Sequence, residues 1–533
     1  MKPLTGLKLL ALLLILAHGL THGPASAAEQ VLVVDGAAAG AADGNAGNDD
    51  APLATLGEAA RRIQARIAEG ERAEEFLIRV RPGVYRESVR LDFGPTSSKE
   101  GAPRLRILAT EPGRATISGA DPLPGWQPEG NGLFRATLPQ PMEPSVVPAD
   151  WPTFLKIGRE ALSRNLLFMG EQRLRQVYDR AELVPGTFLV GQDRRSVIMN
   201  PPPGMDPRRD PTEVARRNVL LDIHGAGGVE ITGLVVERSA APMMESALSV
   251  SASENVALRG TLIRNNNGSG LAVSHSSRVT LEDNTVTENG STGIGAWAIT
   301  GLTMRRNTTT ANNWRGAAGG FVDWAVAGTK LLQIHGAVIE DLRASHNAAQ
   351  GLWLDTDIVD VHVAGADLSG NHGPGLTVEA AQGPVSITAS RILGNSQGIV
   401  AAAARQVSVE NTIVACNSKT QILISGEPNR GVADHRSGTV TVVNNTGWRL
   451  TNSLVIADDK SGALVATTLP TGPWGAFLDS LHSENNVWAY ARDRGAFRGV
   501  WGVSWEFDAW RRRIQDVGSR FEKGPDPRCP QAQ

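Results

Sequence analysis

Asparagine returns in this chain at a fixed interval, and that interval constrains the fold more than any other feature. Asn266, Asn289 and Asn312 are 23 residues apart, while Asn347, Asn371 and Asn395 are 24 apart. Four residues after most of them stands a glycine, as at Gly270, Gly293, Gly351 and Gly375. A period of this size marks a solenoid, in which one coil cannot bury its apolar face alone and must stack on the next. Stacked coils place the asparagines above one another, where their amides bond as a ladder. The step from Asn312 to Asn347 is 35, and the excess predicts an insertion covering Asn313 to about Gly328.

After each asparagine comes a short strand: Gly270-Leu-Ala-Val-Ser274, Gly293-Ile-Gly-Ala-Trp297, Gly351-Leu-Trp-Leu-Asp355 and Gly375-Leu-Thr-Val-Glu379. Side chains alternate across a strand, so Leu271, Val273, Ile294, Ala296, Leu352, Leu354, Leu376 and Val378 are expected inside. Ser274, Trp297, Trp353, Asp355, Thr377 and Glu379 are expected outside. Second strands are expected around Val286, Val338, Val361 and Ile387. The resulting fold class is all-β, a right-handed parallel β-helix.

The rest of the chain is placed around this spine. Residues 1–27 read as a signal peptide: Lys2 and Lys8, an apolar run from Leu9 to Ala17, then Ala25-Ser26-Ala27. The run is too short to span a membrane, so the mature chain is expected to be secreted or periplasmic, cleaved near Ala27. Residues 28–120 hold an N-terminal cap and the first coils, with a helix over about Leu53 to Ala68 whose Thr55-Leu-Gly-Glu58 resembles a capping box. Residues 121–218 lose the period and gain Pro-rich turns, a β-rich insertion. The main coils occupy 219–445, and 446–533 hold further coils and a Trp-rich cap with Trp488, Trp501, Trp505 and Trp510.

Cleaving the leader lowers Lys plus Arg from 52 to 50 against 55 Asp plus Glu, a balance that argues against nucleic acid as partner. Cys416 and Cys529 either form one bridge or stay unpaired. With no Cys/His cluster, no structural metal is expected.

The interior of such a solenoid is filled with side chains, so chemistry belongs on its outer surface. Asp355 and Glu379 are 24 residues apart, and each is the fifth residue of its strand motif. Adjacent strands lie about 4.8 Å apart, which predicts carboxyls about 5 Å apart, the range of a retaining glycosidase. Like charges this close are expected to split their titration into an acid and a nucleophile. Trp353 flanks the pair, Trp297 shares its column, and Lys330 should lie one coil from Trp353, to bind a substrate hydroxyl or carboxylate or merely to lower the pKa of Asp355; all three are candidate substrate-binding residues. The insertion adds Trp314, Arg315, Asp323 and Trp324 as candidate substrate-binding residues, with packing of the two tryptophans onto the coil an equally natural reading. Asp357 shares the outward parity of Asp355 and is the second candidate for its role.

At these residues the sequence resembles the β-xylosidases of glycoside hydrolase family 120. Gly351-Leu-Trp-Leu-Asp355 is similar to that family's Gly-Ile-Trp-Leu-Asp around the nucleophile, and Val378-Glu379 with Gly383-Pro384 to its Val-Glu-Val-Asn-His-Gly-Pro around the acid/base. The resemblance implies Asp355 as nucleophile and Glu379 as acid/base. Thr356 replaces a Trp of the family pattern and Ala380-Ala-Gln382 replaces Val-Asn-His, which removes side chains expected to shape the sugar subsite. The remaining segments look more loosely like glycoside hydrolase family 141.

Two further readings share the fold. A polysaccharide lyase or uronate C5-epimerase would draw its base from Lys330, Arg315 or His335, with Ca²⁺ possible at Asp355, Asp357 and Glu379. A non-catalytic carbohydrate-binding protein would show aromatics without a paired acid.

Overall fold

The computed structural model describes residues 30–69, 75–94, 103–143, 157–458, 462–492, 494–524 and 529. The signal peptide read from residues 1–27 lies outside them. The chain is a right-handed parallel β-helix whose apolar core runs without a break from Leu32 to Ile514.

Each central coil walks through three faces, set up by the alternation of small and branched residues. In one coil the long strand Ser269–Glu282 supplies two faces and Thr285–Thr287 the third; the coils above repeat this with Ile294–Arg305 and Thr308–Thr310, then Ala327–Glu340 and Arg343–Ser345. All of these pair in parallel with the coil above and below. Two left-handed residues three apart turn each long strand between faces: His275 and Arg278, Ala298 and Gly301, Gln333 and Gly336 in successive coils.

The eight residues expected inside are all buried, the most exposed being Ala296 at 3%. Trp297 is exposed, whereas Trp353 and Thr377 leave the coil on its outer side yet are buried by chain lying over them. Val361 and Ile387 are core residues of the second face and Val286 of the third. Val338 lies in the expected second strand, within Ala327–Glu340, where it pairs with His362 on the outer side and is exposed while Ala337 and Ile339 take the inward positions.

The asparagine ladder is continuous. The side-chain amides of Asn266, Asn289, Asn312, Asn347, Asn371 and Asn395 each donate to the next carbonyl oxygen, and Asn417 ends the chain of bonds on Gln421. Each amide also donates to a backbone carbonyl, as Asn347 does to Thr309 O at 3.0 Å. Buried amides satisfied in this way cost little, and hold each coil in register with the next.

At the N-terminal end the helix Leu56–Ala68 buries Leu56, Ala59, Ala60 and Ile63 in the first coils' core. Thr55 caps it by accepting from the Glu58 N–H. Leu53, expected in the helix, instead bridges to Val34. The described residues of 120–215 leave the stack as a module of mostly antiparallel pairs, with one parallel pair between Arg175–Val177 and Thr187–Val190, and with its own core, including Leu123, Trp126, Phe188 and Met199. The stack resumes when Leu221–His224 pairs in parallel with Val89–Asp92.

At the C-terminal end Trp488 and Trp510 are buried among Trp474 and Phe497. Trp501 is not part of that stack; it is 92% exposed at the tip of the hairpin formed by Phe497–Arg498 and Ser504–Trp505. Cys416 and Cys529 are joined in a disulfide, tying the tail to the third face.

Candidate active site

One outward column on the first face reads Ser274, Trp297, Leu332, Asp355, Glu379, Ala402 and Ser425 from coil to coil. The two acids are therefore direct neighbours across a parallel pair, and they are the only charged residues in the stretch from Ser274 to Ser425 of that column. The parallel column beside it carries Gly295, Lys330, Trp353 and Thr377.

Each acid meets its own cation. Lys330 Nζ lies 3.0 Å from Asp355 Oδ2, donates to Trp324 O at 2.7 Å, and sits 3.5 Å over the Trp353 ring. Burial lowers the Lys330 amine below the usual lysine range, against the pull of Asp355 and, more weakly, Glu379. Thr356 Oγ1 donates to Asp355 Oδ1 at 2.9 Å, fixing the second oxygen. Glu379 Oε1 accepts from Arg430 Nη1 at 2.6 Å. The isolated like-charge pair expected from spacing alone is thus two ion pairs side by side.

Asp357 differs from its expected outward position. Thr356 and Asp357 are both left-handed, at φ 42° and 58°, where the neighbouring coils have one such residue at the start of the turn, Gln333 and Ala380. The extra residue shifts the register between Asp355 and Ile358 and swings Asp357 to complete burial. Its carboxylate accepts from His335 Nε2 at 3.0 Å and Gln382 Nε2 at 2.7 Å on one oxygen, and from His435 N and Nδ1, both at 2.7 Å, on the other. Two adjacent left-handed non-glycine residues store strain, a feature that gathers at functional sites.

Arg430 and His435 were not legible as site residues. Both sit on an antiparallel hairpin, Arg430–Ala433 with Val440–Val443, whose Val432 and Val443 pack on Ala380 beside Glu379. The signal for it lies in the spacing: ladder contacts step 22 residues from Ser390 to Thr412, then 41 from Thr412 to Ser453.

The other wall is the insertion before Lys330. Its helix Gly320–Ala325 buries Phe321, Val322 and Ala325 and leaves Asp323 and Trp324 exposed. Trp297, two coils from Asp355, is 47% exposed and donates its indole N–H to Gln333 Oε1 at 2.5 Å. Trp314 and Arg315 face elsewhere: the Trp314 indole donates to Asn266 O, Arg315 bonds Asn267 and Asn165, and Arg173 of the antiparallel module stacks on Trp314.

His335, Asp357 and His435 bring ligand atoms within 4.8 Å of one another, a nitrogen-rich set suited to a zinc-like ion. Calcium takes roughly six to eight oxygens, whereas Asp355, Asp357 and Glu379 are each engaged by separate nitrogen donors.

Residues 246–446 match the sequence profile of the right-handed β-helix region. Comparison with curated proteins finds no match. Among solved structures, a complex of XylC with xylose aligns at 15% identity with a TM-score of 0.69, over 94% of this chain and 87% of that one. The A-module of the mannuronan C-5 epimerase AlgE6 from Azotobacter vinelandii aligns at 12% identity and TM-score 0.50, over 90% and 97%. A structure described as a glycoside hydrolase gives 12% and 0.50, over 91% and 98%. At such identities the likeness is one of fold, and it places the chain among right-handed parallel β-helices.

Proposed function

We propose that this chain is an exported glycoside hydrolase that cleaves a polysaccharide or oligosaccharide with retention at the anomeric carbon. The observation that carries the reading is the pairing of Asp355 with Glu379 on adjacent parallel strands of the outer face. Strands about 4.8 Å apart bring such carboxyls within the roughly 5 to 5.5 Å of a double-displacement pair. Asp355 attacks the anomeric carbon as the glycosidic C–O bond breaks, and Glu379 gives its proton to the leaving oxygen. Water, deprotonated by Glu379, then displaces Asp355. Lys330 and Thr356 hold one Asp355 oxygen each and so aim the nucleophile. The exposed face of Trp297 offers a platform for the apolar side of a sugar ring. XylC, solved with xylose, and the glycoside hydrolase of the same fold are consistent with this chemistry.

The test is Asp355→Ala and Glu379→Ala assayed on a panel of aryl glycosides. Both should lose activity, and azide should restore turnover to each with opposite product configuration at the anomeric carbon for Asp355→Ala. No wild-type turnover on any aryl sugar, with no azide rescue, would refute it. Export is supported by the leader pattern and by the Cys416–Cys529 bridge, since disulfides persist in oxidising compartments. Among the described residues no helix is long and apolar enough to cross a membrane.

One observation favours a second reading, a uronate lyase or C5-epimerase: Lys330 is an amine depressed by burial and placed against the acids, as a proton-abstracting base would be. The AlgE6 module shares the fold. An unsaturated product from alginate or pectin would decide for it.

A further inference from the structure

Arg430 carries binding capacity that the protein leaves unused. A guanidinium has five N–H donors in a planar fork; among the described residues Arg430 spends one, on Glu379, and its side chain is 31% exposed. Lys330 offers no such reserve, since it is held by Asp355, Trp324 O and the Trp353 ring. The position of Arg430 is also built rather than incidental. Its hairpin is clamped at one point by His435 on the buried Asp357, and at another by Val432 and Val443 on Ala380.

The Arg430–Glu379 contact raises a chemical requirement. In that contact the guanidinium occupies Glu379 Oε1, so something has to draw it aside before that oxygen can face the leaving group. A neutral sugar has only hydroxyls, which compete poorly with an ionised carboxylate for a guanidinium. A carboxylate competes on equal terms and matches the fork with two parallel bonds.

We propose that Arg430 is the receptor for a substrate carboxylate, so that the sugar bound beside Glu379 is a uronic acid. Its arrival moves the guanidinium from Glu379 to the substrate and leaves Glu379 Oε1 free to face the leaving oxygen. The chemical step so enabled is the retaining cleavage above, and the assignment of Glu379 as acid rests on that reading; the assignment of Arg430 as receptor stands on its own geometry.

The experiment compares 4-nitrophenyl glucuronides and galacturonides with the matching glucosides and galactosides, on wild type, Arg430→Gln and Arg430→Lys. In parallel, calorimetry measures binding of sodium D-glucuronate and D-galacturonate against D-glucose and D-galactose. Wild type should favour a uronide over its neutral partner by on the order of 100-fold or more in kcat/KM, as a site built around a polar group rejects the analogue lacking it. Arg430→Gln should bring that ratio below about tenfold and abolish uronate binding; Arg430→Lys, keeping the charge without the fork, should fall between. Thermal melting identifies a variant that does not fold, in which case the lysine variant decides.

Equal wild-type turnover of neutral and acidic glycosides, with a ratio unmoved in the variants, overturns the receptor and leaves the hydrolase standing. Uronate binding lost in Arg430→Gln while no glycoside is hydrolysed keeps the receptor and sinks the hydrolase.

Discussion

Replacing Asp357 with alanine tests how the site's outer wall is held. The carboxylate is fully buried and accepts from four donors on three separate segments of chain. Two of them, the Gln382 amide and the His435 backbone N–H, cannot change tautomer and would be stranded. A buried donor without a partner costs about 1–3 kcal/mol, so the loss is about 2–6 kcal/mol, and removing one member of a buried charged cluster falls in the same range. We expect about 4 kcal/mol, concentrated in the hairpin that His435 anchors, which corresponds to about a thousandfold in a local opening equilibrium. Because a stacked solenoid opens piecewise, hydrogen exchange is the assay. Amides of Arg430–Ala433 and Val440–Val443 should lose protection steeply in Asp357→Ala, while distant coils keep theirs. Asp360→Asn is the control: Asp360 is exposed, among the described residues it pairs with His362, and asparagine tolerates its left-handed backbone, so it should cost less than about 0.5 kcal/mol. Hairpin protection unchanged in Asp357→Ala would refute the clamp, and with it the claim that Arg430 is held in place.

Asn347→Ala strands the Asn312 backbone N–H and the Thr309 carbonyl; at about 1–3 kcal/mol for each buried group it should visibly lower the guanidinium midpoint, unlike the exposed Thr300→Ala. Glu58 is held down to about 2 by Arg61 and Arg62. A depressed carboxylate adds stability that is complete above its ordinary value of 4.5 and is lost as pH falls toward 2. Glu58→Gln should therefore melt below wild type at pH 7, with the gap closing as the pH approaches 2.

Much of this architecture is written in the period. The 23- and 24-residue steps specify the ladder, the inward and outward rows, and the juxtaposition of Asp355 with Glu379 and of Lys330 with Trp353, because in a stacked coil sequence distance becomes spatial adjacency. What the period hides is whatever departs from it. Asp357 follows outward parity by counting, but a second left-handed residue at the corner reverses where it points. Arg430 and His435 reach the site from a hairpin whose length shows only as a long step after Thr412, where Gln421 has already taken over from asparagine at the end of the ladder. Trp314 and Arg315 are drawn toward Asn266, Asn267 and the antiparallel module, through contacts no local pattern encodes.

Retaining cleavage requires that Asp355 form a covalent bond to the sugar. The direct measurement is mass spectrometry of the peptide containing Asp355 after incubation with a panel of activated 2-deoxy-2-fluoro glycosides and glycosyluronides. One of them should inactivate the enzyme and leave a single glycosyl adduct on Asp355, absent from Asp355→Ala and still formed, more slowly, in Glu379→Ala. Hydrolysis of the parent sugars without any adduct, or with inversion at the anomeric carbon, would contradict the account.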